Sequence, residues 1–363
     1  SSSAASDVYK RQVKNMGKTK IILFFILVFG LVLRLINLNQ GLWLDEAIGA
    51  ISVKQFSGLE MINQLSTRDN HPPLYYLVLD VFTTLFGYSD VSIRMPGVIF
   101  GVIAVYLTFI FSKTVELKRP FIPTILMAIS PFMVYYSQEA RMYMLTVVSA
   151  LFTSIYLVKV IKHDRTRDWL VFALSLVILF LADYILLFLL PGILTVLLAT
   201  NRSYKGVAKI VLSFFPTFII AAAWSPIFLI QVGGYSWLAR NFNQWFQIVG
   251  GFSFKELFLF WSKMLLGRVS INPDLLYALF VGTFSFPVFV FILRAVHRLT
   301  KIQWVVFVLF FSPPLISFVT SLITPTFNYF RFTYSFPFLA VIVGAALQPV
   351  SYTHLTLPTK RIV

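Results

Sequence analysis

The chain has 363 residues, 58% of them apolar and only 12% charged, with a mean hydropathy of +0.82. That balance excludes a water-soluble domain, and the absence of cysteine excludes a disulfide framework and thiol chemistry. The net charge of +16 raises nucleic acid as a partner only until the basic residues are placed along the chain.

Residues 1–12 and 350–363 share no pattern with their neighbours and resemble translated adapter tails. They are set aside as non-native. That leaves 13–349 as one membrane domain, truncated at its C-terminus, with the native protein continuing past Gln348. Lys14, Lys18 and Lys20 precede the first apolar run, 21–38. It lacks a small-residue cleavage pattern and reads as an uncleaved helix entered from the cytoplasm. Residues 39–91 are then outside. Within them, 47–65 has the spacing of a helix lying in the membrane interface, and the 13-residue run 74–86 is too short to span.

Further spans are expected at 92–111, 121–136, 142–160, 169–181, 185–200, 210–230, 275–293, 302–323 and 332–347. With the first run, that makes an all-α polytopic protein of about ten transmembrane helices. The turn at 182–184 and the long segment 231–274 face outside, and the latter carries Trp237, Trp245 and Trp261 for the headgroup level. Eighteen of the 30 lysines and arginines, Lys10 and Arg11 of the N-terminal tail included, fall in the five segments assigned to the cytoplasm. The basic balance therefore reflects topology and contact with membrane lipids, and nucleic acid drops out as a partner. The localisation expected is a multi-pass plasma-membrane protein.

This topology sorts the polar residues. Asp45, Glu46, Asp69, His71, Arg94, Glu139, Arg141 and Arg331 all fall on the outer face or at its edge, each near a helix end. Carboxylates bordering hydrocarbon carry a functional expectation. Arginine offers phosphate a planar fork of donors, and a carboxylate can take a proton from an attacking hydroxyl. There is no glycine-rich nucleotide fingerprint, Walker loop or HExxH, which argues against a soluble-type nucleotide-sugar enzyme.

Four motifs then occur in order: LWLDEA at 42–47, DNHPPLYY at 69–76, IRMP at 93–96 with Gly101, and Ser130-Pro131 leading to YSQEARMY at 136–143. Together they resemble the signature of the GT-C fold membrane glycosyltransferases, specifically bacterial relatives of the protein O-mannosyltransferases and the lipid A aminoarabinose transferase. The stretch from Pro325 to Pro337, with Arg331, faintly resembles a later family segment.

The resemblance implies a polyprenyl-phosphate sugar as donor. It implies inverting transfer of a hexosyl or pentosyl group, on the extracytoplasmic face, to a hydroxyl of an envelope lipid, glycan or protein. It makes Asp45 the candidate general base or acceptor orienter, with Glu46 and Glu139 as further catalytic candidates. Asp69, His71, Arg94, Arg141 and Arg331 become substrate-binding candidates, Arg94 and Arg331 as phosphate clamps.

Glu46 stands between site and scaffold, and His71 between phosphate contact and turn positioning. Glu139 and Arg141 form a local ion pair in the competing reading. Asp45, Glu46, Glu139 and His71 are the residues that would hold a divalent cation if one is used. Arg34 reads as a structural or snorkelling charge. Asp80 and Asp183 rank lower: Asp80 continues a polar stripe with Tyr76 and Thr84, and Asp183 sits in a tight turn, where aspartate is ordinary. A lipid-linked glycan ligase or polymerase is the alternative function, and a lipid-linked sugar transporter a further one.

Overall fold

The computed structural model describes residues 2–241, 250–269, 271–297 and 299–348, and among these residues every regular element is a helix. The first part runs α1 (Ser2–Leu35), α2 (Leu44–Gln55), α3 (Gly58–Arg68), α4 (Leu74–Phe86), α5 (Asp90–Thr114), α6 (Phe121–Ile129), α7 (Pro131–Ser137) and α8 (Tyr143–His163). Then come α9 (Thr166–Ala182), a 3-10 turn (Tyr184–Leu189), α10 (Leu190–Thr200) and α11 (Tyr204–Asn241). The chain continues through α12 (Phe254–Leu266), α13 (Asp274–Val296), α14 (Lys301–Thr320), a second 3-10 segment (Tyr329–Ser335) and α15 (Phe336–Ala346).

Six helical segments among the described residues are long and apolar enough to cross a membrane. Of the other expected spans, the first lies largely within the 34-residue α1, and the rest are helical but shorter or interrupted. Pro131 splits the run 121–136 into α6 and α7, and Asp183 with Pro191 divides the stretch after α9. The tail 350–363 and Trp245 lie outside the described residues, while the backbone of residues 2–12 continues into α1.

The core is built on α8 and α15, whose apolar windows are mostly buried, while α11 and α13 turn most of theirs outward. Phe218, Leu275 and Phe286 stand exposed on those outer helices. Large apolar side chains presented this way fit hydrocarbon as the surrounding solvent.

The interfacial helix expected at 47–65 is two helices. Phe56 is extended and Gly58 takes a left-handed φ of 53°, so α2 and α3 meet at a corner. At 38 residues, α11 is about 57 Å long, well beyond a hydrocarbon core of about 30 Å. Its far end therefore extends past the bilayer into the segment read from sequence as a loop.

Two buried arginines set the geometry around the site. Pro131 has no N–H for the carbonyl of Met127, and the break also frees that of Ala128. Arg34 fills the gap: Nη2 donates to the Met127 carbonyl (3.1 Å) and Nη1 to that of Ala128 (3.0 Å), while Nε donates to Ser137 Oγ (3.0 Å). This is the structural charge expected of Arg34. Close approach of α5 to the turn after α7 depends on Gly97, where a Cβ would lie 2.8 Å from the Ser137 carbonyl oxygen and 2.9 Å from that of Glu139. Gly101, one turn on, faces Ser137 and Arg34 in the same way. The small-xxx-small spacing of these glycines is a device of close helix packing in membranes.

Candidate active site

The bundle has two chemically distinct ends. At one, Lys162 pairs with Glu116 and Lys209 with Asp164 (2.6 Å), joining three of the basic segments. α5 starts at the other end, where Arg94 in its second turn meets Glu46 of α2, Glu46 meets the 138–142 turn, Arg141 of that turn meets Asp69, and His71 meets Asp183 at the α9 terminus. All eight candidate residues lie on this side of the bundle.

The adjacent carboxylates Asp45 and Glu46 have different environments. Glu46 is buried and gripped by Arg94, with Nε donating to Oε1 (2.9 Å) and Nη2 to Oε2 (2.6 Å). The backbone N–H of Ala140 donates to Oε1 (2.8 Å) and that of Trp43 to Oε2 (3.2 Å). Arg94 also donates to the carbonyls of Leu38 (3.0 Å), Gln40 and Gly41 (3.0 Å). All five guanidinium N–H groups thus have protein acceptors. In this conformation Arg94 has no donor left for a phosphate, and Glu46 has no free lone-pair direction for a metal. The pair is a latch that closes the loop after α1 onto α5 and the 138–142 turn.

Asp45 is on a different face of α2, partly exposed, with no hydrogen-bond partner among the described residues. It acts electrostatically on Arg141 and Tyr143. Neighbours on a helix point about 100° apart, which is why one carboxylate is a strut and the other faces the mouth.

Arg141 does not pair with Glu139. Its Nη1 donates to Asp69 Oδ2 (3.2 Å) and to the Tyr76 hydroxyl (3.2 Å), while its buried Nε has no acceptor among the described residues. Asp69 also accepts from the Tyr76 hydroxyl and from the Asn70 backbone (2.7 Å). Burial opposes its ionisation, but His71 in its protonated form, Arg141 and the hydrogen bonds from Tyr76 and Asn70 outweigh that and hold the carboxyl below the usual range. His71 lies between two carboxylates, its Nε2 3.7 Å from Asp69 and its Nδ1 3.5 Å from Asp183.

The loop carrying these residues is held from behind by α11. Gln231 Nε2 donates to the carbonyls of Asp69 (3.0 Å) and His71 (3.1 Å), and its Oε1 accepts from the Tyr184 hydroxyl (2.6 Å). Arg331 spends one Nη1 bond on the Thr326 carbonyl (3.2 Å) and interacts electrostatically with Asp183 and Tyr143.

Glu139 finds its cation in Arg268, which sequence reasoning passed over. Arg268 follows the Gly267 turn after α12, lies 4.7 Å over the Tyr135 ring, and brings Nη1 to 3.6 Å from Glu139 Oε1. Its only sequence signal was membership of the outer basic residues. Burial pushes the Glu139 carboxyl up to about 7, although Tyr135 and Arg268 pull the other way. Because the folded state then holds this proton more tightly than the unfolded chain, stability should fall as pH rises from about 4.5 to 7. The loss is on the order of 3 kcal/mol, and Glu139→Gln should flatten it in a melting series across that range.

The four residues named as cation ligands do not converge. Among the described residues there is no cluster of three His, Asp or Glu side chains able to hold a metal. Asp69 and Asp183 approach opposite nitrogens of one imidazole, so they do not face a common point.

Comparison with known proteins agrees with this architecture. A family model described as dolichyl-phosphate-mannose-protein mannosyltransferase matches residues 70–229, the part that carries His71, Arg94, Glu139, Arg141 and Asp183. ArnT from Cupriavidus metallidurans in the apo state is similar over 93% of this chain, with a TM-score of 0.60 at 14% identity. The same protein bound to undecaprenyl phosphate is similar over 92%, with a TM-score of 0.59 at 12% identity. The chain has the GT-C fold, and the family resemblance read from its motifs holds. It spans 61% of the length of those ArnT chains. No curated protein matches the sequence.

Within the GT-C fold, the first-loop motif divides into a mouth-facing Asp45 and a latched Glu46. The second and fourth motifs meet through the Arg141–Asp69 pair. That junction joins residues 72 apart in sequence.

Proposed function

We propose that this protein is a membrane glycosyltransferase that moves a sugar from a polyprenyl phosphate to a hydroxyl of an envelope lipid, glycan or protein. The reading carries an extracytoplasmic site, a hexosyl or pentosyl donor and inversion by direct displacement. One observation carries it: Asp45, a carboxylate without a hydrogen-bond partner among the described residues, shares one mouth with Arg141, whose buried Nε has no acceptor.

A free carboxylate beside an unsatisfied guanidinium is the pair that this reaction needs. Asp45 takes the proton of the attacking hydroxyl as the new glycosidic bond forms. Arg141 and Arg331 stabilise the phosphate that leaves with the electron pair of the broken bond. Arg141 thus takes the clamp role that the sequence reading gave to Arg94. Glu46 and Arg94 hold the frame, and Glu139 with Arg268 lines its far side. A polyprenyl chain has its natural solvent against the apolar outer faces of the bundle. The resemblance to a protein solved with undecaprenyl phosphate supports that donor class.

The test is mass spectrometry of envelope lipids, glycans and proteins from cells with and without the gene. A single-sugar difference on one class of acceptor is expected. Whole-glycan transfer would favour the ligase, and movement of lipid-linked sugar with no product would favour a transporter.

A further inference from the structure

Asp183 stands outside all four motifs, yet it faces the His71 ring. The carboxylate is buried at the end of α9, where its Oδ1 accepts from the Ile185 N–H (3.2 Å) and caps the following 3-10 turn. The same oxygen lies 3.5 Å from His71 Nδ1, a buried atom with no hydrogen bond among the described residues. The His71 backbone is fixed by Gln231 and the side chain is 27% exposed, so the ring has one buried edge and one open edge. Nε2, on the open edge, is 3.7 Å from Asp69, whose oxygens already accept from Asn70, Tyr76 and Arg141.

We propose that Asp183 is a positioning residue for His71: it draws the proton to Nδ1, fixes the ring plane and leaves Nε2 to accept a hydrogen bond from a substrate hydroxyl. The physical reason is the buried edge. Both nitrogens face a carboxylate, and burial separates them. An Nδ1–H pointing at Asp183 answers a buried atom that has no other partner in reach among the described residues, whereas Nε2, on the open edge, is within reach of a donor entering from the mouth. A second acceptor imidazole at the mouth then reads a hydroxyl of the sugar or of its acceptor, while Asp45 takes the reacting proton. The tautomer assignment stands on the geometry alone. The role of Nε2 rests on the transferase reading.

Two variants separate this role from capping. Asparagine and serine both cap helices well, so Asp183→Asn and Asp183→Ser keep the turn. Neither offers the carboxylate, and the serine oxygen is one bond nearer the backbone. The measurement is nitrogen NMR of the full-length protein, labelled at its four histidines, in lipid nanodiscs above pH 8. His71→Gln assigns the His71 signals.

The expected result is a protonated Nδ1 and bare Nε2 in the wild type, shifting toward the opposite tautomer in Asp183→Ser. A wild-type spectrum with bare Nδ1, one with both nitrogens protonated, or one that is unchanged in both variants overturns the proposal. In transfer assays with an undecaprenyl-phosphate sugar, both variants should lower kcat about tenfold, the effect of one lost hydrogen bond. Unchanged kcat with the expected spectra overturns the role given to Nε2. A wild type inactive with every sugar and acceptor, but with the expected spectra, overturns the transferase reading and leaves the Asp183–His71 pairing intact.

Discussion

Glu46→Ala should leave little folded protein. The substitution strips the buried Arg94 guanidinium of the carboxylate that pairs with it and leaves the N–H groups of Trp43 and Ala140 without their acceptor. Breaking a buried pair from one side costs about 3–5 kcal/mol, because the remaining charge stays desolvated. Arg94→Ala should act in the same direction, since it removes the clamp on the carbonyls of Leu38, Gln40 and Gly41 as well.

The discriminating variant replaces both partners, Glu46→Leu with Arg94→Met. Removing both charges avoids the unpaired ion and should recover much of the loss. Thermal melts and the yield of monodisperse protein in detergent measure the set. Single variants as stable as the wild type would mean that the pair does not hold the loop, and would return Arg94 to the phosphate-binding candidates.

Asp45→Asn should have the converse signature: normal folding and loss of turnover. Asparagine keeps the size and polarity of the side chain and removes only its capacity to take a proton. Asp45 has no hydrogen-bond partner to lose among the described residues. Positioned general-base catalysis is worth about 10²–10⁴-fold, and a loss in that range is expected in kcat, with donor binding retained. Full transfer activity in a folded Asp45→Asn variant would remove the base assignment. Comparing the two adjacent positions is itself informative, because one should fail in the melt and the other in the assay.

The helical fold was legible because hydropathy and segment length are local properties. The motifs located nearly every side chain at the mouth, since Asp45, Asp69, His71, Glu139 and Arg141 lie in or beside helix ends that the apolar runs define. Helix breaks inside apolar stretches were harder to read. The corner at Phe56–Gly58 and the extension of α11 to Asn241 both ran against the simple alternation of span and loop. Gly58 adopts a conformation that its composition permits without requiring, and α11 continues past the point where its apolar pattern fades.

What the sequence determined by itself was the solvent of this protein, its helical class, its family resemblance and the end of the bundle that carries polar chemistry. Only the tertiary structure decided which charge answers which. Glu46 found Arg94 across 48 positions, Arg141 turned to Asp69 across 72, and Glu139 was met by Arg268. Pairing depends on distance and burial between distant segments, quantities that no local pattern encodes. That is why two adjacent acids of equal charge, Asp45 and Glu46, separate into a mouth-facing carboxylate and a buried strut only once the bundle is assembled.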